Sequence, residues 1–267
     1  LARSYLLSYM LDQDDFKVQF QSIFRRSKLF NQLLDYSMRS YHGGKIESYI
    51  IGYVHNAKII DITSAYPYSL SLLPKLTGRT YMGSNLKLLD RFYYAFIRCD
   101  IDIKDKDFIH PITVQSPINK ANISPYGYLE DIVITKVEYD YLLKYNVEVQ
   151  VHDFIGVYHV ENNYPYRNLI YELFEKRNEN RKKNKSLADL YKELTNSQYG
   201  ITYELTPIHE EDENGINYIG LRAGDFFNPV IASYITALTR TYLSEVSYNI
   251  RLNGGKVYLN MTDSIIY

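Results

Sequence analysis

Tryptophan is absent from this chain and cysteine occurs once, at Cys99. A lone thiol excludes an internal disulfide and any zinc site built from several cysteines, and it fits a reducing compartment. No stretch reaches the ~18 consecutive apolar residues of a membrane-spanning helix. The opening LARSYLLSYM is too short for one, and Asp12, Asp14 and Asp15 follow at once, which argues against a secretory signal. Charge of one sign is also lacking: 30 Lys and Arg stand against 31 Asp and Glu, a formal net charge of −1. No global basic field draws the chain to a polyanion, so any contact with nucleic acid has to come from local clusters. There is no internal repeat and no low-complexity linker. The chain begins at Leu1 and stops just after Ile265-Ile266, so both ends read as cut from something longer.

What is present in excess is tyrosine, 29 of 267 residues, which with abundant Lys, Asn and Ile reads as an AT-rich coding sequence rather than a function. The length accommodates one extended core or two subdomains. The most informative stretch is AKIIDITSAYPYSL, residues 57–70. Lys58 to Ile62 reads as a buried strand of β-branched residues with a carboxylate, Asp61, near its end. A carboxylate in an apolar strand is costly unless something positive compensates it. A second one, Asp263 in KVYLNMTDSIIY, lies at the far end of the chain. Two carboxylates brought together from separate strands make a site for hard divalent cations. A lone Asp after a strand is more commonly a helix cap, so the pairing decides.

In chain order, residues 1–40 read as helices: Leu6, Leu7, Met10 and Leu11, then Val18, Phe20, Ile23 and Phe24, with a basic turn at Arg25, Arg26 and Lys28. Tyr41-His42-Gly43-Gly44 marks a turn where backbone passes close to something. Residues 48–62 predict a hairpin, with Asp61 on its second strand. Residues 92–104 predict a strand, with Ile97, Cys99, Ile101 and Ile103 alternating. After a loop-rich region come strands around a short helix over roughly 131–160. Pro165 opens a helix whose apolar stripe, Leu169, Ile170, Leu173 and Phe174, continues at helical spacing into Arg177 and Arg181. A second helix starts near Ser186. Leu187, Leu190, Tyr191 and Leu194 share one of its faces, and Lys192, Asn196 and Tyr199 the other. An antiparallel helix pair with a cationic surface is expected. Residues 201–225 predict a hairpin with an acidic tip at Asn214-Gly215. Asn228-Pro229 caps a long apolar helix, and a last strand at Val257–Asn260 leads to a tight turn presenting Thr262-Asp263-Ser264.

Three of these segments stand in an order that resembles family B DNA polymerases. DITSAYP (61–67) is similar to their motif A, KELTNSQYG (192–200) to motif B, and MTDS (261–264) to the end of motif C. Tyr41-His42-Gly43-Gly44 resembles the Tyr-x-Gly-Gly link between exonuclease and polymerase domains. That element points to the protein-primed branch of phages, linear plasmids and mobile elements. The match covers nearly the whole chain. Met261 departs from it, standing where the first motif C aspartate belongs, and Leu259 stands in place of the tyrosine. A thioether is no ligand for a hard cation. The site is therefore expected to be weakened rather than abolished.

The resemblance implies an α/β (α+β) fold: an antiparallel palm sheet holding Asp61 and Asp263, packed helices and a two-helix fingers subdomain. It divides the chain into an N-terminal helical and link segment (1–45), a palm part with a terminal-protein-type insertion (46–164), fingers (165–200), and a palm part with a short hairpin insertion (201–267). It implies a template-directed DNA polymerase using Mg²⁺, with Mn²⁺ as a substitute. Template and primer DNA, deoxynucleoside triphosphates and a terminal protein primer are the partners, in the cytoplasm of a host cell. Asp61, Asp263 and the backbone of Ile62 would hold metal. Lys192, then Arg177 and Arg181, would face the triphosphate, and spacing alone does not choose between the arginines. Asn196 and Tyr199 would line the nascent base pair, Tyr66 would exclude a ribose 2′-hydroxyl, and Tyr41, Gly43 and Gly44 would approach the template. A different class of reading, a weakened or inactive polymerase-like module that binds nucleic acid, is suggested by Met261. A third is a nucleotidyltransferase that primes on a protein hydroxyl without much extension.

Overall fold

The computed structural model describes residues 19–267 apart from 117, 120 and 212–216. The expected helix around Leu6 to Val18 and the hairpin tip at Asn214-Gly215 lie outside the described residues. In chain order the helices are α1 (Phe20–Phe24), α2 (Phe30–Arg39), α3 (Ala65–Ser71), α4 (Lys136–Lys144), α5 (Arg167–Asn180), α6 (Lys185–Gly200) and α7 (Pro229–Leu252). The strands are β1 (Lys45–Ser48), β2 (Ile59–Asp61), β3 (Lys75–Gly83), β4 (Tyr94–Ile103), β5 (Val114–Gln115), β6 (Asn122–Ile123), β7 (Gly127–Thr135), β8 (Glu148–Val160), β9 (Leu205–Glu211), β10 (Asn217–Ala223), β11 (Leu259–Thr262) and β12 (Ser264–Ile266).

Two four-stranded antiparallel sheets carry the fold. The larger runs β3-β8-β4-β7. Its strand β4 is buried on both faces: Tyr94 and Phe96 enter one core, and Ile97, Cys99, Ile101 and Ile103 enter another with Phe154 and Leu142. The predicted alternation over 92–104 is thus one of two buried faces. The first core also takes Leu33, Leu70, Leu169, Ile170, Leu173 and Leu194, with Val230, Ile231, Tyr234 and Ile235. α7 begins where Asn228 Oδ1 accepts from Ile231 N–H at 3.3 Å with Pro229 in its first turn, as the Asn-Pro pair predicts.

The smaller sheet runs β1-β11-β12-β2. It corrects two expectations. Residues 48–62 do not form a hairpin: β1 pairs with β11 and β2 with β12, so the C-terminal hairpin lies between them. Nor is the Asp61 strand buried. As an edge strand, β2 leaves Ile59, Ile60 and Asp61 exposed. A third is a shift of boundary, since the strand expected at 257–260 is β11 at Leu259–Thr262, and β12 follows it. Beneath this sheet Ile265 and Val257 pack on Leu243 and Ile109.

α5 and α6 form the expected helix pair, with α5 starting two residues after Pro165. α6 buries Ala188, Leu194, Thr195 and Gln198, and Leu190 and Tyr191 of the predicted stripe pack half-buried against the same core. Among the described residues β9 and β10 pair only with each other, as an antiparallel ribbon. No helix among the described residues is long and apolar enough to cross a membrane.

Candidate active site

Asp61 ends β2 directly opposite Ser264 on β12, and the Ser264 hydroxyl donates to Asp61 Oδ1 at 2.7 Å. One step back along the chain, Asp263 occupies the turn between β11 and β12. Thr262 takes a left-handed φ of 60° there, and the Asp263 N–H donates to Met261 O at 2.7 Å. The Asp263 carbonyl in turn accepts the Ile62 N–H at 2.9 Å. The two carboxylates, 202 positions apart in sequence, are thereby held at the end of β2 and in the adjoining β11–β12 turn, beside one cleft. Burial, and then the negative charge of Asp61, raise the Asp263 carboxyl above its ordinary pKa.

The cleft holds about 550 Å³. Asp61 and Asp263 line it together with Tyr66, Arg177, Arg181, Lys192 and Asn196, and with the 63–65 turn and Pro67. Past Asp61 the chain reverses at Ser64, whose φ is +52°, and enters α3. Arg177 Nη1 reaches Ser64 Oγ at 3.4 Å. None of Arg177, Arg181 and Lys192 forms an ion pair with a carboxylate among the described residues. Burial and the neighbouring Arg181 push the Arg177 pKa down. Three cations without carboxylate partners therefore line the same cleft as two carboxylates, an arrangement that suits a polyanion bridged to the acidic residues by metal.

Among the described residues no cluster of three or more His, Cys, Asp or Glu could hold a metal. Two carboxylates, one of them disfavoured as an anion by its partner, remain. That donor set fits Mg²⁺, which takes few carboxylates and completes its shell with water and substrate phosphate. Met261 lies opposite Ser264 across β11 and β12, on the Asp61 face of the sheet, and is half exposed at 49%.

Tyr66 and Tyr199 stack at 4.6 Å with 14° between rings. Tyr199 Oη lies 2.9 Å from Tyr41 Oη, and Tyr41 stacks on Tyr203 at 3.5 Å. Tyr41 therefore points into the molecule, and Gly44 packs against Tyr66: a methyl on Gly44 would overlap the Tyr66 hydroxyl. Asp61, Asp263, Tyr66, Arg177, Arg181, Lys192 and Asn196 line the cleft, Tyr41 and Tyr199 fall in the tyrosine stack, Ile62 is bonded to Asp263, and Gly44 abuts Tyr66, whereas Gly43 faces Asn122 instead.

Arg240, Glu138 and Lys45 escaped the sequence reading. Arg240 is fully buried on α7. It pairs with Glu138 at 2.6 Å and donates to the carbonyls of His42 (2.6 Å) and Gly43 (3.0 Å). Lys45, also buried, donates to His110 O at 2.6 Å and pairs with Glu47 at 2.7 Å. Arg240 had a signal. It is a guanidinium inside the apolar run of α7, the same anomaly that singles out Arg177. Lys45, after two glycines, had none.

The architecture is that of a polymerase. Over 98% of its length the chain superposes on half of phi29 DNA polymerase. TM-scores are 0.62 for the complex with primer-template DNA and incoming nucleotide (15% identity) and 0.63 for the orthorhombic crystal form (17% identity). The family model for DNA polymerase type B, organellar and viral, matches residues 16–202, and the chain belongs to that family. It is 26% identical over 240 residues to the DNA polymerase of Acidianus bottle-shaped virus (isolate Italy/Pozzuoli), covering 85% of this chain and 33% of the relative's length. Asp61 and Lys192 lie inside the matched span, whereas Asp263 lies beyond it.

Proposed function

We propose that this chain is the nucleotidyl-transfer core of a template-directed DNA polymerase, extending a primer 3′-hydroxyl with deoxynucleoside triphosphates. The observation that carries the reading is the meeting of Asp61, at the end of β2, with Asp263, in the β11–β12 turn, in one cleft with Arg177, Arg181 and Lys192. In the reaction a primer oxygen bonds to the α-phosphorus, its proton leaves to solvent, and the bond to pyrophosphate breaks. Asp61, Asp263 and the Ile62 carbonyl would hold Mg²⁺, or Mn²⁺ in its place. Bound there, the ions would lower the pKa of the attacking hydroxyl and offset charge on the leaving group. Lys192 and the two arginines would hold the triphosphate and stabilise the charge that develops on it. Asn196 and Tyr199 would border the nascent base pair and Tyr66 the sugar.

Palm (46–164 and 201–267) and fingers (165–200) are the divisions this reading assigns, with the link at 41–44 approaching the template. Initiation on a terminal protein, in the cytoplasm of the host of a phage, plasmid or mobile element, belongs to the same reading. It rests on the Tyr-x-Gly-Gly resemblance. Met261 argues for a site with lowered metal affinity, since only two carboxylates face the cleft.

The test is primer extension by the full-length protein in Mg²⁺ and in Mn²⁺. Asp61→Ala should cost at least roughly a thousandfold in rate, because it removes half of the carboxylate pair. Equal extension by wild type and Asp61→Ala would end the enzymatic reading in favour of a nucleic-acid-binding module.

A further inference from the structure

The Tyr66 hydroxyl lies against Gly44, from the link element, and Gly44 also faces Thr262, from the turn that carries Asp263. A methyl built on Gly44 overlaps Tyr66 Oη and comes within 2.9 Å of Thr262 Cγ2 and 3.2 Å of Thr262 Cα. The Gly44 backbone is not left-handed, so glycine is needed there for space and not for conformation. On its other side the Tyr66 ring is backed by Tyr199, whose hydroxyl lies against that of Tyr41. The tyrosine is thus clamped between α6 and the link, with its hydroxyl held against a glycine that leaves room for one oxygen and no more. Gly43 differs from its neighbour. A methyl there meets only Asn122 Nδ2, at 3.3 Å.

We propose that Gly44 is a specificity-determining residue: by seating the Tyr66 hydroxyl it sets how closely the tyrosine approaches C2′ of the incoming nucleotide, and hence the preference for deoxyribose over ribose. This rests on the reading of Tyr66 as the neighbour of the sugar. A methyl at Gly44 displaces the ring from its seat into the cleft. The 2′-hydroxyl of a ribonucleotide, the larger group at C2′, meets the displaced ring first, so the ribonucleotide loses more than the deoxynucleotide does. A glycine that served only to admit the template backbone would affect both nucleotides alike and leave their ratio unchanged.

The experiment measures kcat/KM for a deoxynucleoside triphosphate and the matching ribonucleoside triphosphate in single-nucleotide primer extension by the full-length protein. Gly44→Ala should raise the deoxy-to-ribo ratio about tenfold or more, the size of effect that one misplaced methyl has on a fitted pocket. Gly43→Ala should keep the wild-type ratio. Tyr66→Phe removes the oxygen that the new methyl overlaps. Adding Gly44→Ala to Tyr66→Phe should therefore change the ratio far less than in the wild-type background, which also shows that the glycine substitution is compatible with folding. An unchanged ratio in Gly44→Ala, or equal effects of Gly44→Ala in both backgrounds, overturns the proposal while leaving the polymerase reading intact. Failure of the wild type to incorporate either nucleotide overturns both.

Discussion

Asp263 shows how a single residue links fold and chemistry. Its carboxyl is held above the ordinary pKa of 3.8 by burial and by Asp61. The folded chain therefore binds that proton more tightly than the unfolded chain does. The charged form costs stability above the raised pKa, and the cost is relieved as pH falls toward 3.8. A cation in the cleft would reverse the sign by compensating both carboxylates. Without metal at neutral pH, Asp263→Asn should melt higher than wild type, by ~2 °C. It should also lose the rise in melting temperature that Mg²⁺ gives the wild type. Thermal melts with and without Mg²⁺ check both, and an undiminished Mg²⁺ response in Asp263→Asn would remove Asp263 from the metal site. That Asp61 and Asp263 belong together was legible from their motifs. The Ser264 bond to Asp61 and the seat of Tyr66 on Gly44 were not. Both depend on cross-strand register and close approach, which a linear pattern does not carry.

Elements were read well where their partners are local. The α5–α6 pair, the Asn228-Pro229 start of α7 and the β7-α4-β8 unit follow from periodicity and capping. The supposed 48–62 hairpin failed because alternation marks a strand but not its partner, and the C-terminal hairpin wins the pairing on both sides. The start of α4 shows what holds such elements to one another. Glu138 closes a capping box with Thr135, accepting from Thr135 N–H at 3.0 Å and from its hydroxyl at 2.9 Å. Its other oxygen pairs with the buried Arg240, which donates to the link carbonyls. Burial and the Arg240 charge also lower the His42 pKa to about 4, which keeps the imidazole neutral at physiological pH. Glu138→Ala removes the cap and leaves a guanidinium buried without its carboxylate. Unfolding in urea should show a loss of ~3–5 kcal/mol. A loss below ~1 kcal/mol, the scale of a cap alone, would mean that Arg240 finds compensation elsewhere.

For the molecule as a whole, one core spans what sequence divides. Leu169 and Leu173 of α5 and Leu194 of α6 enter the same cluster as Phe96 of β4 and Ile235 of α7, so the helix pair is anchored through shared apolar contacts. Among the described residues the β9–β10 ribbon pairs only with itself, and it exposes Ile219 and Leu221. Local stability follows such differences. Hydrogen exchange of the full-length protein should find the amides of α7 among the slowest, opening only with global unfolding. The described part of the ribbon should exchange far sooner. Equal protection of the two would mean that the ribbon is packed against something further.

The sequence by itself determined which side chains line the cleft, because motif spacing and an arginine on an apolar stripe are properties of the chain alone. It also determined most of the helices, since their hydrogen bonds close within a few residues. Only the tertiary structure decided which strands are neighbours, which glycine backs Tyr66, and which buried guanidinium holds the link. The physical reason is that strand pairing and close packing are chosen by competition among distant segments, and that outcome is written in no single stretch of the chain.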